Sequence, residues 1–503
     1  MRAGEECHAV SLPAASGHSG GVGPRADELS HRRKAAILAT CCLTVLITST
    51  DLTIANLAIP SIRTDLVATA AHAQWVIAIY ALGVASLQLL GGAAGDRFGR
   101  RRVLQTGTAV FLLGSLLCSL APTIDVLIAA RLVQGVGASM MNPVALAIVS
   151  QVFVAPAERA RAIGIWGAVF GAALALGPFA GGLLIDLFGW RSVFWINLPI
   201  GAVAIVACAL LVPESRSATI RAVDPVGQFL AAGSLFGLVF VLIESPGRGW
   251  THPWVIVTAA VTVLAFIGFL RYESRHTAPF VDLRYFGSIP FTAAALTALS
   301  VFIVWGAFLF MMSIYLQGWR GYPAVHAGLL LLPVGLAVLV FSPISGRLVG
   351  RVGSRPSLMI AGLMTVGMST MLIFLTPMAP QWLLMVIFVS FGITFGMVTV
   401  PINYAAVSGM PPDRAGVAAG ITSTSKQVGI SLGVALSGVL AAGALSPPMG
   451  DFTAAADPLW VLTGALGLAI AALGVFSTSP RAKRSAERLG PLIESAPGSS
   501  ARG

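Results

Sequence analysis

Apolar runs of about 18–25 residues, separated by short polar stretches, recur along almost the whole chain. A helix of that length crosses a hydrocarbon layer of about 30 Å. The pattern predicts fourteen spanning helices, over residues 35–58, 73–93, 103–121, 124–151, 161–185, 192–212, 226–245, 253–271, 289–316, 326–349, 356–376, 380–406, 415–444 and 458–478. The intervening stretches are mostly short, so helices adjacent in sequence should run antiparallel. Between the second and third runs the residues from Asp96 to Arg102 hold five charges. Charge of that density is excluded from lipid, so Gly92 to Arg102 reads as a short loop between two spans.

The distribution of Lys and Arg tests the count. With the N-terminus on the cytosolic side, twenty-five of the 31 fall in segments on that side and four (Arg63, Arg191, Arg248, Arg320) on the other. The other two, Arg131 and Lys426, lie deep inside spans rather than at their ends. This asymmetry is the positive-inside pattern, and it predicts that both termini are cytosolic. A net charge of +11 would suggest nucleic acid in a soluble protein, but here it follows from topology, and no nucleic-acid partner is expected. With 10% charged and 56% hydrophobic residues the chain departs far from soluble composition, where about a quarter is charged. Residues 1–34 are polar and read as a disordered cytosolic tail, not a signal peptide; residues 479–503 read as a similar tail. The Ala, Gly, Arg and Pro bias suggests a bacterial source, hence the bacterial inner membrane. The five Cys show no metal or disulfide spacing, and four lie in apolar runs. No metal-ligand spacing and no phosphate-binding loop occur, so no cofactor, metal or enzymatic activity is expected.

The chain also repeats. Gly92, Asp96, Arg97, Gly99 and Arg101 correspond to Gly346, Gly350, Arg351, Gly353 and Arg355, 254 residues later. Glu158-Arg159-Ala160 similarly matches Asp413-Arg414-Ala415. Two six-helix halves, 35–212 and 289–478, follow, with a linker at 213–288 that inserts two further spans. Duplicated halves are typical of secondary transporters.

In this setting the residues resemble the major facilitator superfamily, and within it the fourteen-helix drug:proton antiporters. The stretch Gly92 to Arg102 resembles the motif that follows the family's second helix. Arg131, Gln134, Gly135 and Gly137 resemble its fourth-helix motif. Gly167 through Gly177, Pro178, Gly181 and Gly182 resemble the antiporter motif of helix five. Asp51 to Pro60 resembles the first-helix motif, although Ala55 stands where a larger apolar residue is frequent. Gly189-Trp190-Arg191 with Phe194, Asn197, Pro199 and Gly201 resembles the entry to the sixth helix, and Ser425-Lys426-Gln427 with Gly429 an element of helix eleven. The resemblance covers residues 35–478. It implies an all-α integral membrane fold of two six-helix halves plus two inserted central helices. It further implies alternating-access export of lipophilic or cationic small molecules in exchange for protons. Other functions for such a chain are export of an endogenous metabolite and a non-transporting membrane sensor. A monomer in the bilayer is expected.

Three charges inside spans carry the candidate chemistry. Asp51 lies about 24 Å into the first run at 1.5 Å per residue. Cys41, Thr44, Thr48 and Asp51 share its face. An intramembrane carboxylate either carries a proton or holds a neighbouring helix by hydrogen bonds. Arg131 lies about 10 Å into the fourth run from the far side, a similar depth. If both helices line the cavity, as the family implies, Arg131 senses the protonation of Asp51; a fixed salt bridge is the alternative. Lys426, about 18 Å into its run, either binds an anionic group or snorkels. Thr48, Gln74, Gln88, Gln134, Asn142 and Asn403 are candidate cavity residues. Trp305, Phe308 and Met312 form a face that suits lipophilic substrate or simple packing. Gly167, Gly177, Pro178, Gly181 and Gly182 are expected to act as a hinge, and Gly92, Asp96, Arg97, Gly99 and Arg101 as a conformational latch. Because Gly350 replaces the acid in the second half, the latch should be strong in one half only.

Overall fold

A computed structural model describes residues 30–216, 224–276, 281–408, 415–445 and 452–494. Among these residues there is no strand. The first half contains α1 (His31–Asp65), α2 (Ala70–Phe98), α3 (Arg100–Leu120), α4 (Ile124–Val152) and α5 (Pro156–Phe188). Its last span is divided into α6 (Ser192–Trp195) and α7 (Asn197–Leu211). The insert is α8 (Pro225–Arg248) and α9 (Pro253–Glu273). The second half contains α10 (Ile289–Ile314), α11 (Ala324–Val352), α12 (Ser354–Ile373), α13 (Gln381–Val407), α14 (Ala415–Leu440) and α15 (Phe452–Phe476). A final α16 covers Pro480–Glu494, so part of the expected tail is helical. Residues 1–29 of the expected disordered tail, and Asp413 and Arg414 of the second repeat match, lie outside the described residues.

Thirteen described helices are long and apolar enough to cross a membrane. The remaining expected span is α14. Its 26 residues suffice in length, but Ser423, Thr424, Ser425, Lys426 and Gln427 place a polar belt in its middle. It is nevertheless inside the bundle, packed between α10 and α2. A helix shielded by protein on both sides does not need the apolarity that lipid demands.

The charged island is not a loop. Helix α2 continues through Asp96 and Arg97 to Phe98, α3 starts at Arg100, and Gly99 alone joins them. Its φ of 112° is accessible to glycine and costly for other residues. In the second half Gly353, with φ 93°, alone joins α11 to α12. The sequence repeat is therefore also a repeat of a single-glycine junction at positive φ, although ψ differs, 129° at Gly99 and −179° at Gly353.

Within the first half α3 packs on α4 and α7, α2 on α4, and α1 on α5; within the second, α10 packs on α14, α12 on α15 and α11 on α13. Two seams join the halves, α5 with α11 and α2 with α14. The inserted α8 lies over the second seam, touching both α2 and α14, and α9 packs on α8. Gln228 of α8 donates to the Ser86 carbonyl of α2 at 2.5 Å, and Trp75 of α2 donates to Glu244 of α8 at 2.9 Å.

Candidate functional site

The threonines of α1 satisfy their own hydroxyls. Thr40, Thr44, Thr48 and Thr53 each donate to a carbonyl three or four residues earlier, so a polar stripe fits within an apolar helix. Asp51 projects from this helix into the interior of the first half, where it is 2% exposed. Arg131 of α4 donates to its Oδ2 through Nη1 at 2.6 Å. Gln134 of α4 and Asn197 of α7 donate to its Oδ1 at 2.9 and 3.2 Å. Both amides also reach Ser115 of α3, at 2.8 and 3.3 Å. Arg131 further donates to Gln134 Oε1 (2.7 Å) and, through Nε, to the Val76 carbonyl (3.1 Å), and its guanidinium lies 4.3 Å from the centre of the Tyr80 ring. Its Nη2 has no hydrogen-bond partner among the described residues.

The pair expected between Asp51 and Arg131 is therefore present, but it does not line an open cavity. Helices α3, α4 and α7 enclose it, and Arg131 is fully buried. Gln134, expected at the cavity, belongs to this network. Ser115, Asn197 and Tyr80 are network members that residue-by-residue reading missed. The available signal was polarity inside an apolar run, and in Asn197 it was seen only as part of a motif. A buried pair of this kind has two arrangements. With Asp51 ionised the charges cancel; with Asp51 protonated, Arg131 is left with an uncompensated buried charge.

Let the tail side be the end of the bundle that carries the start of α1 and α16. At the far end the halves are closed. Asp186, at the end of α5, accepts from the backbone of Ala324 and Val325 at 3.1 and 2.9 Å, and so caps α11 from across the seam. Arg63 donates to the Leu445 carbonyl (2.6 Å), and Gln317 to that of Leu57 (2.8 Å). Gly182 leaves room for the backbone of Ala324, and Gly328 for that of Pro178. Of the expected hinge residues, Gly177 packs on Thr53, Gly181 on Ile54 and Gly182 across the seam. Towards the tail side α5 and α11 part. Residues 163, 164, 165, 167 and 168 of α5 are exposed, which is more than one helical face. A Cβ added to Gly164, Gly167, Gly346 or Gly350 would meet nothing within 4 Å.

Lys426 is half-buried in α14. Its Nζ donates to Asn403 of α13 at 3.4 Å and lies 5.9 Å from the centre of the Phe302 ring. Among the described residues no carboxylate pairs with it. Asn403 is exposed, and Tyr404 beside it is 58% exposed. In the other half Thr48 donates to Asn142 at 3.3 Å. Gln74 and Gln88, expected to line the cavity, instead stitch α2 to α14, donating to Val434 O at 2.5 Å and to Ser423 Oγ at 2.8 Å. Trp305, Phe308 and Met312 are buried inside the second half. Trp305 and Phe308 stack on Phe391 of α13, with centroids 5.3 and 3.9 Å away, so this face packs helices together here.

At the expected latch Asp96 pairs with Arg100 at 2.9 Å, not with Arg97 or Arg101. Arg100 also donates to Gln151 of α4 at 2.9 Å, and Arg97 lies over the Phe98 ring. Gly92 packs beside Pro143 of α4. The exposed N-terminus of α3 has no cap from Gly99. Glu214, beyond α7, supplies one: it accepts from the Arg101 backbone at 3.1 Å and lies 3.7 Å from the Arg102 guanidinium. Glu214 was not found from sequence, because a lone acid after a span resembles any loop residue.

A multi-span helical bundle of two repeated halves, closed at one end and with its α5–α11 seam parting toward the other, defines a membrane transporter fold. The family model described as Major Facilitator Superfamily matches residues 41–434, and the chain belongs to that superfamily. It is 36% identical over 396 residues to the multidrug resistance protein Stp of Mycobacterium tuberculosis, covering 79% of this chain and 74% of that one. It is 36% identical to the tetracenomycin C resistance and export protein of Streptomyces glaucescens, covering 82% and 77%. To the puromycin resistance protein pur8 of Streptomyces alboniger it is 35% identical, covering 82% of each. The crystal structure of a D-xylose-proton symporter superposes with a TM-score of 0.63 at 15% identity, over 89% of this chain and 98% of that one, which shows the shared fold.

Proposed function

We propose that the chain exports lipophilic or cationic small molecules, antibiotics among them, in exchange for protons, and that both termini lie in the bacterial cytosol. The observation that carries the coupling is the Asp51–Arg131 pair, buried in a helix bundle whose two ends differ in closure. The relatives named for drug resistance and export supply the substrate class. In this reading the tail-open state is the one in which Asp51 pairs with Arg131. With the far side open, Asp51 takes a proton from outside and Arg131 loses its counter-charge. The return to the tail-open state re-forms the pair and expels the proton inward, while substrate has left outward. Lys426, with no carboxylate partner among the described residues, provides a second charge for substrate or for the transition. Asp96, Arg97 and Arg101 belong to a latch that is disengaged here, since Asp96 and Arg101 find their partners within the first half. The chain works as a monomer.

Proteoliposomes with an imposed pH gradient test this. Adding an antibiotic substrate should release protons with the native chain and not with Asp51→Asn. Equal proton movement in that variant would overturn the coupling role of Asp51.

A further inference from the structure

The last helix, α16, is by a wide margin the most amphipathic in the molecule. Its inner face is small: Ala482 and Ala486 are buried, and Ser485 accepts through its hydroxyl from the backbone of Ile289 at 3.0 Å. This docks α16 on the first residue of α10 and on the short 3-10 turn Leu283–Gly287 that leads into it. On the opposite side Arg481, Arg484 and Arg488 are exposed, at i, i+3 and i+7 spacing that puts them on one face. Glu487 is the acid among them, and none of the three arginines has an ion-pair partner among the described residues.

Geometry limits how far this face can be from the bilayer. Only Ser477, Thr478 and Ser479 separate α16 from the end of the spanning α15. Phe476, the last residue of α15, is 64% exposed, and Phe286, on the turn that α16 touches, is 41% exposed. Phe476 closes a 25-residue apolar span, so the polar residues that follow it leave the hydrocarbon at its surface. The arginine face is thus held at headgroup depth by its own connection and its own docking site. Exposed cations held within a Debye length of a membrane are attracted to acidic headgroups.

We propose that the outer face of α16 binds the headgroups of anionic phospholipids through Arg481, Arg484 and Arg488, and so fixes the start of the second half at the membrane surface. The full chain, reconstituted in nanodiscs of phosphatidylcholine with or without a large fraction of phosphatidylglycerol, tests this by amide hydrogen exchange over residues 480–494. Exchange should slow several-fold in the anionic discs, salt should abolish the difference, and R481Q/R484Q/R488Q should exchange alike in both lipids. Identical exchange of the native chain in the two lipids would overturn the proposal. So would a lipid effect that survives in the triple variant, or soluble glycerol phosphate slowing exchange equally in neutral discs. The readout needs neither substrate nor a pH gradient, so it stands apart from the transport assay. If the triple variant does not reconstitute, the lipid and salt comparison on the native chain still decides the matter.

Discussion

The two halves share a fold but handle buried charge differently. The first half encloses Asp51 and Arg131 together, with Gln134, Asn197 and Ser115 completing the shell. Among the described residues the second half gives Lys426 an amide oxygen at 3.4 Å and a ring nearby, and no carboxylate. A paired charge within a sealed shell stores a protonation state. An unpaired one needs something from outside to neutralise it. We propose on this difference that the first half stores the proton and that the second charge takes up a mobile partner.

The largest expected effect comes from breaking the sealed pair. Asp51→Asn leaves Arg131 buried without its counter-charge, and the cost of such a break is about 3–5 kcal/mol. The variant should lose proton-coupled export and unfold at lower temperature, whereas Asp51→Asn with Arg131→Met should regain much of the stability but not the coupling. Thermal unfolding in detergent together with proteoliposome flux separates the two readouts. If the double variant were no more stable than the single one, the pair would not be an electrostatic unit.

Lys426→Met should have the opposite profile. Removing a charge without an ionic partner from a membrane helix costs no salt bridge, so stability should hold or rise. Export should nevertheless fall by on the order of tenfold, equivalent to about 1.4 kcal/mol of lost interaction. Flux unchanged in this variant would make Lys426 a tolerated residue and remove the contrast between the halves.

A smaller effect is expected at the far end, where the seam between halves is closed. Asp186→Asn keeps one of the two oxygens that cap Ala324 and Val325, sets an amide nitrogen against the other backbone N–H, and loses the charge that favours a helix N-terminus, itself on the order of 0.3–1 kcal/mol. The far-side-open population should increase, read as a longer distance between spin labels on the α5 and α11 ends. An unchanged distance distribution would show that Gly182 and Gly328 close the seam without help from the carboxylate.

Much of this arrangement was legible in the sequence because hydrophobic run length and charge asymmetry report directly on the membrane. The span α14 was legible from the apolar stretches on either side of its polar belt, although it is less apolar than the thirteen others because protein shields that belt. Asp51 and Arg131 could be paired from depth and face. Their enclosure by α3 and α7 could not, because helical periodicity specifies a face but not the neighbour it meets. The same limit misplaced Gln74 and Gln88, which bridge the α2–α14 seam, and left open whether Trp305 and Phe308 pack or face substrate; they pack on α13. Gly99 was visible as a motif residue, yet its single-residue turn required the φ angles of two helix ends.

The mildest test uses the two turns themselves. Gly99 and Gly353 have related backbones, but only the first has Asp96 before it and Glu214 against the following helix. Glu214→Gln retains an acceptor for the Arg101 backbone and removes the charge near Arg101 and Arg102, which lie 4.0 and 3.7 Å away. Pairs this exposed contribute about 0–1 kcal/mol, so stability should barely change. Transport should shift modestly, and in the same direction as in Asp96→Asn, because both changes loosen one turn. Combining the two should give less than the product of their separate effects, as expected for groups that share a structural unit. Independent effects would mean that Glu214 only caps α3, and that the asymmetry between the turns resides in Asp96 and Arg100 alone.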